Sequence, residues 1–159
     1  GDSGRNTLNK VKLDLNQMVS EVWEESQMID EKHRYLFRGT DPAYMTGDIA
    51  MIKQSIRIFV QNAAKYSSDG ADITLGVMLE SGYVSYMIQD EGIGMESSDV
   101  VHIFERFYRS DEARNGETGG SGLGLSIAKW IVDAHSGTIQ VVSRPEIGTR
   151  FIVRFPMCE

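Results

Sequence analysis

The chain has 159 residues, a length that suits one globular domain with a buried core. Apolar residues make up 41% and charged residues 25% of it, which are ordinary fractions for a globular domain. The formal net charge of −7 argues against nucleic acid or an anionic membrane surface as a partner. The single cysteine, Cys158, excludes a disulfide framework and a thiolate metal cluster.

Residues 1–9 are small and polar, and we expect them to be the remnant of a linker from an upstream domain. Residues 10–159 are then one domain. No run of about twenty apolar residues and no signal-peptide layout is present in the sequence, so we expect a cytoplasmic chain without membrane contact. We also expect this chain to be monomeric.

The first half of the chain predicts two strands and two helices. Alternation of Val11, Leu13 and Leu15 predicts a short strand, and an amphipathic helix follows it. Residues 35–37 indicate another strand. Asp48 is a plausible cap for a second helix with an apolar stripe that faces the core. The stripe consists of Ile49, Ile52, Ile56, Phe59, Val60 and Ala63.

The second half predicts a hairpin, a loop, a helix and two closing strands. Residues 72–80 and 83–89 read as strands joined at Ser81-Gly82. A short helix begins at Ser97 or Ser98. Residues 110–120 have no apolar period, which predicts a mobile lid over about residues 105–120. Residues 121–136 read as a helix ended by Gly137, and residues 138–143 and 149–155 as strands. The residues expected to face inward on that helix are Leu123, Ile127, Ile131 and Val132.

Two glycine-rich segments stand out. Residues 90–95, Asp-Glu-Gly-Ile-Gly-Met, follow a predicted strand and are called the first glycine loop below. Residues 119–125, Gly-Gly-Ser-Gly-Leu-Gly-Leu, open a predicted helix and are called the second glycine loop. Glycine allows a close backbone approach to a ligand, and backbone N–H groups at a helix start bind anions. Together the two loops predict a phosphate-bearing ligand.

Several familiar sites are absent from the sequence. No Gly-Lys dipeptide occurs, so there is no P-loop, and neither glycine loop completes the dinucleotide-binding fingerprint. The metalloprotease helix signature and the serine-nucleophile elbow are also missing. The three histidines, His33, His102 and His135, are scattered singly and are interpreted as surface or core residues rather than metal ligands.

Asn62, Lys65 and Tyr66 lie at i, i+3 and i+4 near the end of the second predicted helix. This spacing gathers an amide, an ammonium group and an aromatic ring on one helix face. By themselves they are more typical of a polar helix end, where lysine and asparagine serve capping and interact with the helix dipole.

Four motifs in order give these residues a context. They are residues 62–67 (Asn-Ala-Ala-Lys-Tyr-Ser), the first glycine loop, residues 104–109 (Phe-Glu-Arg-Phe-Tyr-Arg) and residues 120–125 of the second glycine loop. This series resembles the N, first glycine, F and second glycine boxes of sensor histidine kinases. Residues 147–149, Ile-Gly-Thr, resemble the final glycine box.

The resemblance implies an α+β fold, the two-layer α/β sandwich of the GHKL ATPases. This fold has a mixed sheet of about five strands, three main helices on one face and a mobile ATP lid. The implied function is that of the ATP-binding catalytic domain of a protein-histidine kinase in a two-component system. Such a domain binds Mg-ATP and transfers the γ-phosphate to a histidine on a separate dimerisation domain, from which a response regulator receives it. The full-length protein is then expected to be anchored in the cell membrane.

The resemblance also implies roles for single residues. Asp90 would bind the adenine amino group, and Asn62 would coordinate Mg²⁺ through its amide oxygen. Lys65 would face the phosphates, Tyr66 would pack near the sugar or base, and Arg106 would supply positive charge. The other implied nucleotide-binding positions are Gly92, Gly94, Phe104, Arg109, Gly120, Ser121, Gly122, Leu123, Gly124, Leu125 and Thr149.

Two departures and two alternatives qualify this reading. Ile58 occupies a position where the family commonly has a second asparagine, which predicts weaker Mg-ATP binding. The phosphoacceptor motif is missing, so little or no self-phosphorylation is expected. One alternative is a GHKL serine kinase of the anti-sigma-factor type, against which residues 104–109 argue; the other is a non-catalytic nucleotide-sensing module. Hydrolysis of the gyrase or heat-shock-chaperone kind is disfavoured, because those proteins have a glutamate base in the helix that here carries Asn62.

Overall fold

The computed structural model describes residues 7–108 and 124–158. Seven strands and four helices lie in these ranges. The strands are β1 (Lys10–Asp14), β2 (Arg34–Arg38), β3 (Tyr44–Asp48), β4 (Asp72–Glu80), β5 (Tyr83–Asp90), β6 (Thr138–Arg144) and β7 (Gly148–Pro156). The helices are α1 (Leu15–Ile29), α2 (Ile49–Tyr66), α3 (Ser97–Val100) and α4 (Gly124–Ala134).

Five of the strands form one mixed sheet in the order β2-β4-β5-β7-β6. The β2–β4 pair is parallel, and the other three pairs are antiparallel. Strands β1 and β3 form a separate antiparallel pair. The predicted α+β fold with a mixed five-stranded sheet is therefore confirmed. Strand β5 lies at the centre of the sheet, so the residue at its end, Asp90, has neighbours on both sides.

Helices α1, α2 and α4 form one layer against the sheet. The rings of Phe59 on α2 and Phe151 on β7 are 4.7 Å apart, and Phe59 also lies 6.2 Å from Tyr86 on β5. All three rings are fully buried. Burial of such rings is the main source of stability in a two-layer domain. None of the helices within the described ranges has the length and apolar character needed to cross a membrane.

The other face of the sheet carries ion pairs and polar contacts between neighbouring strands. Arg154 on β7 forms an ion pair with Glu80 on β4, with an N–O distance of 3.0 Å. Arg150 donates a hydrogen bond to Gln89. These exposed pairs contribute little to stability, and the helices pack against the opposite face of the sheet.

Aspartates fix the starts of α1 and α2. The Asp48 carboxylate accepts a hydrogen bond from the N–H of Met51, so the predicted cap of α2 is confirmed. The Asp14 carboxylate accepts a hydrogen bond from the N–H of Asn16, so Asp14 caps α1, which begins at the next residue. The interpretation of Leu15 as a strand residue is therefore wrong, because the cap at Asp14 makes Leu15 the first residue of the helix.

Strand β3 was not predicted from the sequence. It contains Gly47, a residue of low strand propensity. The reason for the glycine lies far away in sequence: a Cβ at Gly47 would lie 2.9 Å from the His135 ring. The buried His135 accepts a hydrogen bond from the N–H of Asp48, which joins the end of α4 to the start of α2.

Two predictions about helix α4 need correction. Ile127 was expected to face the core but is 40% exposed, whereas Ala128 is fully buried with Ile131. The helix ends at Ala134, and the left-handed residue that follows it is Ser136, with a φ of 57°, rather than Gly137. Gly137 is needed for packing instead, since a Cβ there would lie 2.8 Å from the carbonyl oxygen of Arg154. Leu123 lies outside the described residues.

Candidate functional site

Asp90 ends the central strand β5 with its side chain buried at 6% exposure. Its Oδ1 accepts hydrogen bonds from the N–H of Gly92 at 2.8 Å and the N–H of Thr149 at 3.3 Å. Within residues 7–108 and 124–158, no hydrogen bond is directed at Oδ2. The carboxylate is thus held in place by backbone donors on one oxygen and keeps an acceptor for a ligand on the other.

The environment shifts the titration of this carboxylate. Burial raises the pKa of Asp90 above its ordinary value, and the two backbone N–H donors only partly oppose that effect. A desolvated carboxylate interacts strongly with a hydrogen-bond donor, because little water competes for it. Asp90 is therefore chemically suited to bind an amine or amide N–H group.

The first glycine loop is clamped between two parts of the fold. On one side, the N–H of Ile93 donates to the carbonyl of Tyr66 at the end of α2. On the other side, the N–H of Glu146 in the β6–β7 turn donates to the carbonyl of Ile93 at 2.6 Å. The loop is thereby fixed without any ligand.

Glycine is required at both predicted positions of this loop. A Cβ at Gly92 would lie 2.3 Å from the carbonyl oxygen of Tyr66. Gly94 has a φ of +66°, and its Cβ would lie 1.8 Å from the carbonyl oxygen of Arg144. Gly148, just before Thr149, has a similar constraint, since its Cβ would lie 2.2 Å from the Asp90 carbonyl oxygen. The backbone segments around Asp90 therefore touch directly.

The last turn of α2 brings the polar trio next to this loop. Asn62 and Tyr66 are partly buried, and Lys65 is exposed. The Lys65 ammonium group lies 5.7 Å from the centre of the Tyr66 ring. Because the Tyr66 carbonyl bonds the first glycine loop, the trio and Asp90 belong to one end of the molecule.

Ile58 lies one turn before Asn62 on α2 and packs against the hydrophobic core. Its Cγ2 is 3.7 Å from the position a Cβ would take at Gly124, the first residue of α4. The side chain therefore contributes packing between α2 and the start of α4, where an asparagine would offer an amide oxygen.

The segment before the undescribed residues 109–123 carries two of the predicted site residues. Phe104 packs edge-on against Phe151 of the core, with ring centres 6.4 Å apart. Arg106 is exposed, 5.2 Å from the Phe107 ring. It lines a groove of about 530 Å³ along the outward face of α4, together with Trp130. This places Phe104 in a packing role and Arg106 beside α4.

Part of the predicted site falls outside the described residues. The positions concerned are Arg109, Gly120, Ser121, Gly122 and Leu123. Of the second glycine loop, Gly124 opens α4 and Leu125 packs partly buried against the core. The part of the chain that the structure describes contains no cluster of three or more His, Cys, Asp or Glu side chains that could hold a metal ion.

The histidines have structural surroundings. His33 bonds the Asp30 carboxylate, and the exposed His102 bonds Glu105. His135 is buried at the junction of α4 and α2. These contacts agree with their interpretation as surface or core residues.

Ser143, near the end of β6, was not singled out from the sequence. It accepts a hydrogen bond from the N–H of Met95 and lies 2.8 Å from the Thr149 hydroxyl. A lone serine in a strand has no distinguishing pattern, so only the three-dimensional contacts could have found it.

Comparison with known proteins supplies the family. The model of the family described as "Histidine kinase-, DNA gyrase B-, and HSP90-like ATPase" matches residues 47–159. The sensor histidine kinase YkoH of Bacillus subtilis is 38% identical over 143 residues, which cover 90% of this chain and 31% of YkoH. The sensor-like histidine kinase SenX3 of Mycolicibacterium smegmatis is 32% identical over 146 residues, 91% of this chain and 38% of SenX3. The chain thus spans about a third of the length of these relatives.

Solved structures with low identity share the fold. The mycobacterial sensor histidine kinase MprB superposes with a TM-score of 0.80 at 24% identity, covering 92% of this chain and 97% of that one. The catalytic domain of the histidine kinase ThkA gives 0.81 at 22% identity, covering 94% and 96%. Since the family model matches most of the chain and the fold agrees, the protein belongs to the family of histidine kinase-, DNA gyrase B- and HSP90-like ATPases.

Proposed function

We propose that this chain is the ATP-binding catalytic domain of a two-component sensor histidine kinase. In this proposal it holds Mg-ATP and presents the γ-phosphate to a histidine on a separate phosphoacceptor domain, from which a response regulator's aspartate takes it. Family membership and the similarity to sensor histidine kinases support the reaction class. We also propose that this chain lies in the cytoplasm, where ATP is available, and that the full-length protein is anchored in the cell membrane.

The observation that carries the proposal is the geometry of Asp90. Its Oδ1 is occupied by two backbone N–H groups, and Oδ2 has no partner within residues 7–108 and 124–158. Adenine presents an amine donor at its 6-position, whereas guanine presents a carbonyl acceptor there. A carboxylate accepts from the amine and repels the carbonyl oxygen, so this site should select ATP over GTP.

In this proposal, residues of the last turn of α2, the second glycine loop and the segment around residues 104–109 contact the phosphates and the sugar. Lys65 would neutralise phosphate charge, and Tyr66 would pack against the sugar or base. Gly122 and Gly124 of the second glycine loop would offer backbone N–H groups, and Arg106 with Arg109 would add positive charge. Catalysis then consists mainly of positioning and charge neutralisation, because phosphoryl transfer needs little covalent help from the protein.

The magnesium ion fits the donor set here. Mg²⁺ keeps several waters and commonly takes one or two protein oxygens besides substrate phosphates, so the amide oxygen of Asn62 is sufficient. When bound, the ion would neutralise charge that develops on the phosphates. Asn62 would orient it relative to the γ-phosphate.

The test is a calorimetric titration of Mg-ATP and Mg-GTP into the wild-type chain and into Asp90→Asn. Loss of one charge-assisted hydrogen bond costs about 1.5–3 kcal/mol, or roughly ten- to a hundredfold in affinity. Asp41→Asn, at an exposed position away from the site, is the matched control and should bind ATP normally. Equal affinities for ATP and GTP, or unchanged ATP binding by a folded Asp90→Asn variant, would contradict the adenine assignment.

Transfer to histidine needs a second experiment. The wild-type chain is mixed with labelled ATP and a phosphoacceptor domain from a related kinase. An acid-labile, base-stable phosphoprotein is expected, with little label on this chain itself. Tight ATP binding without any transfer would favour a non-catalytic nucleotide-sensing module, for which the aliphatic Ile58 is the supporting observation. A phosphoserine product would favour the anti-sigma-factor type of kinase.

A further inference from the structure

Ser143 lies half-buried near the end of β6, beside the first glycine loop. Three groups lie within hydrogen-bond distance of its Oγ. They are the N–H of Met95 at 2.9 Å, the hydroxyl of Thr149 at 2.8 Å and the carbonyl oxygen of Gly148 at 3.2 Å. The first belongs to the first glycine loop, and the other two belong to the start of β7.

The bonding capacity of a serine hydroxyl fixes what these contacts do. Ser143 Oγ has one hydrogen to donate and two lone pairs. One lone pair accepts from the Met95 N–H, which can only donate. The single hydrogen goes to Gly148 or Thr149, both of which start β7. Whichever of the two accepts it, the hydroxyl links the first glycine loop to the start of β7.

That link bears on the carboxylate of Asp90. The N–H of Gly92 reaches Asp90 from two residues away and belongs to the same loop. The N–H of Thr149 reaches it from β7, over a separation of 59 residues. At 3.3 Å this second bond is already longer than the usual range for N–H donors, so a small outward shift of β7 would break it.

We propose that Ser143 is a positioning residue for base recognition: it ties the start of β7 to the first glycine loop and so keeps the Thr149 N–H on the Asp90 carboxylate. The proposal rests on the adenine-binding role of Asp90 proposed above. Ser143 itself does not touch the base. It acts by fixing where Oδ2 of Asp90 points and how well the charged carboxylate is stabilised.

Backbone contacts in the same region explain why the fold survives without Ser143. The Glu146 N–H bonds the Ile93 carbonyl, and Gly94 packs directly on the Arg144 carbonyl. These contacts hold the middle of the β6–β7 turn against the loop. Ser143 connects the loop to the start of β7, next to Thr149, whose N–H donates to the Asp90 carboxylate.

The experiment compares Ser143→Ala, Ser143→Thr and Ser85→Ala with the wild-type protein. Ser85 is a buried serine on β5, far from Asp90, and its hydroxyl donates a hydrogen bond to Glu80 of β4. Ser85→Ala therefore controls for general destabilisation by loss of a serine hydroxyl. Each protein is titrated with ATP and with inosine triphosphate, which lacks the amine. The pKa of Asp90 is measured in the ligand-free protein by carboxyl ¹³C NMR.

We expect Ser143→Ala to lose about two- to tenfold in ATP affinity, with a much smaller loss for inosine triphosphate. The pKa of Asp90 should rise further in this variant, because one of its two backbone donors is lost. Ser143→Thr should restore both properties, and Ser85→Ala should change neither. The ratio of ATP to inosine triphosphate affinity and the Asp90 titration are readouts that a purely structural serine would leave unchanged.

An unchanged affinity ratio together with an unchanged Asp90 pKa in folded Ser143→Ala would overturn the proposal. If the wild-type chain binds no ATP, the proposed function fails instead. The NMR titration of ligand-free protein then still decides the positioning role: a raised Asp90 pKa in Ser143→Ala supports it, and an unchanged one overturns it.

Discussion

The base end and the phosphate end of the proposed ATP site are built from different parts of the chain. The base end consists of Asp90, the first glycine loop and the start of β7, and backbone hydrogen bonds and glycine contacts hold it in place. The phosphate end consists of side chains on the last turn of α2, chiefly Asn62 and Lys65, which are partly buried or exposed. The difference suggests that selection of the base is built into the fold, whereas the phosphate contacts depend on individual side chains and can vary at lower cost to stability.

The largest expected effect comes from breaking the base end with Gly94→Ala. The added Cβ would lie 1.8 Å from the Arg144 carbonyl oxygen, and the residue must keep a φ of +66°. We expect a loss of about 2–5 kcal/mol in the free energy of unfolding, from left-handed strain and overpacking together. Urea denaturation measures it.

Gly70→Ala separates these two causes. Gly70 also has a positive φ, +87°, but nothing lies within 4 Å of its would-be Cβ. This control should lose only about 1–2 kcal/mol, the cost of the left-handed conformation. Equal losses for the two variants would show that the contact between the first glycine loop and β6 is not tight.

A second prediction concerns pH and Asp90. Burial raises the pKa of this carboxyl, so it takes up a proton at a higher pH than an ordinary aspartate. ATP affinity should therefore fall as the pH drops through that pKa, by up to roughly ten- to a hundredfold once the charge is gone. Titrations from pH 7.5 to 4.5 should show this fall in the wild-type protein and a flatter profile in Asp90→Asn.

The same pKa has the opposite consequence for stability. Because the folded-state pKa of Asp90 is raised, its contribution to stability is fully present below the unfolded pKa and is lost as the pH rises through the folded pKa. Asp90→Asn should therefore melt at a higher temperature than the wild-type protein at neutral pH, with the gap closing in acid. If Asp90→Asn melts at a lower temperature than the wild-type protein at neutral pH, the view that burial of the ionised Asp90 carboxylate destabilises the fold is contradicted.

The phosphate end should tolerate substitution much better. Asn62→Ala should keep the fold and the affinity for adenosine, while Mg-ATP affinity falls about two- to tenfold through the lost metal contact. Its exposed neighbour provides the control Gln61→Ala, which should change neither affinity. A parallel loss of adenosine binding would mean that the two ends are not independent.

The smallest expected effect concerns His33, whose ring hydrogen-bonds Ser67, the residue that follows α2. Its Nδ1 lies 2.6 Å from the Asp30 carboxylate and its Nε2 lies 3.1 Å from the Ser67 carbonyl. Both partners are acceptors, so both bonds are made together only by the protonated ring. Burial opposes the charge, but these two hydrogen bonds outweigh it and raise the pKa of His33.

The stability from His33 is therefore fully present below the ordinary histidine pKa and is lost as the pH rises through the raised value. His33→Gln should cost about 1 kcal/mol of unfolding free energy at pH 5.5 and less at pH 9. An equal loss of unfolding free energy at both pH values would contradict the proposal that the protonated His33 ring makes both hydrogen bonds.

Local patterns were sufficient to predict much of this structure. The cap at Asp48 and the hairpin that leads to Asp90 were each visible over fewer than twenty residues, and each is confirmed. The apolar stripe of α2 is confirmed except at Ile49, which was expected to face the core but is 43% exposed in the first turn of the helix. The family resemblance then turned a weak signal, an acidic residue in a turn, into a predicted adenine site. Within these stretches, period and propensity agree with the final fold.

The remainder depends on contacts between distant segments. Strand β3 was missed because its Gly47 is dictated by His135, 88 positions later. The Thr149 N–H on Asp90 and the hydroxyl of Ser143 likewise leave no local pattern. Ile127 was assigned to the core because its apolar character alone did not reveal which side of α4 borders the groove.

The separation of 59 positions between Asp90 and Thr149 has a consequence for biosynthesis. At ribosomal rates of about 5–20 residues per second, Thr149 is polymerised roughly 3–12 s after Asp90. During that interval the carboxylate has only its local donor from Gly92, and β5 lacks its partner β7. Under the proposed function, the nascent chain should therefore not bind ATP until β7 has docked, and nucleotide binding should stabilise only the completed domain.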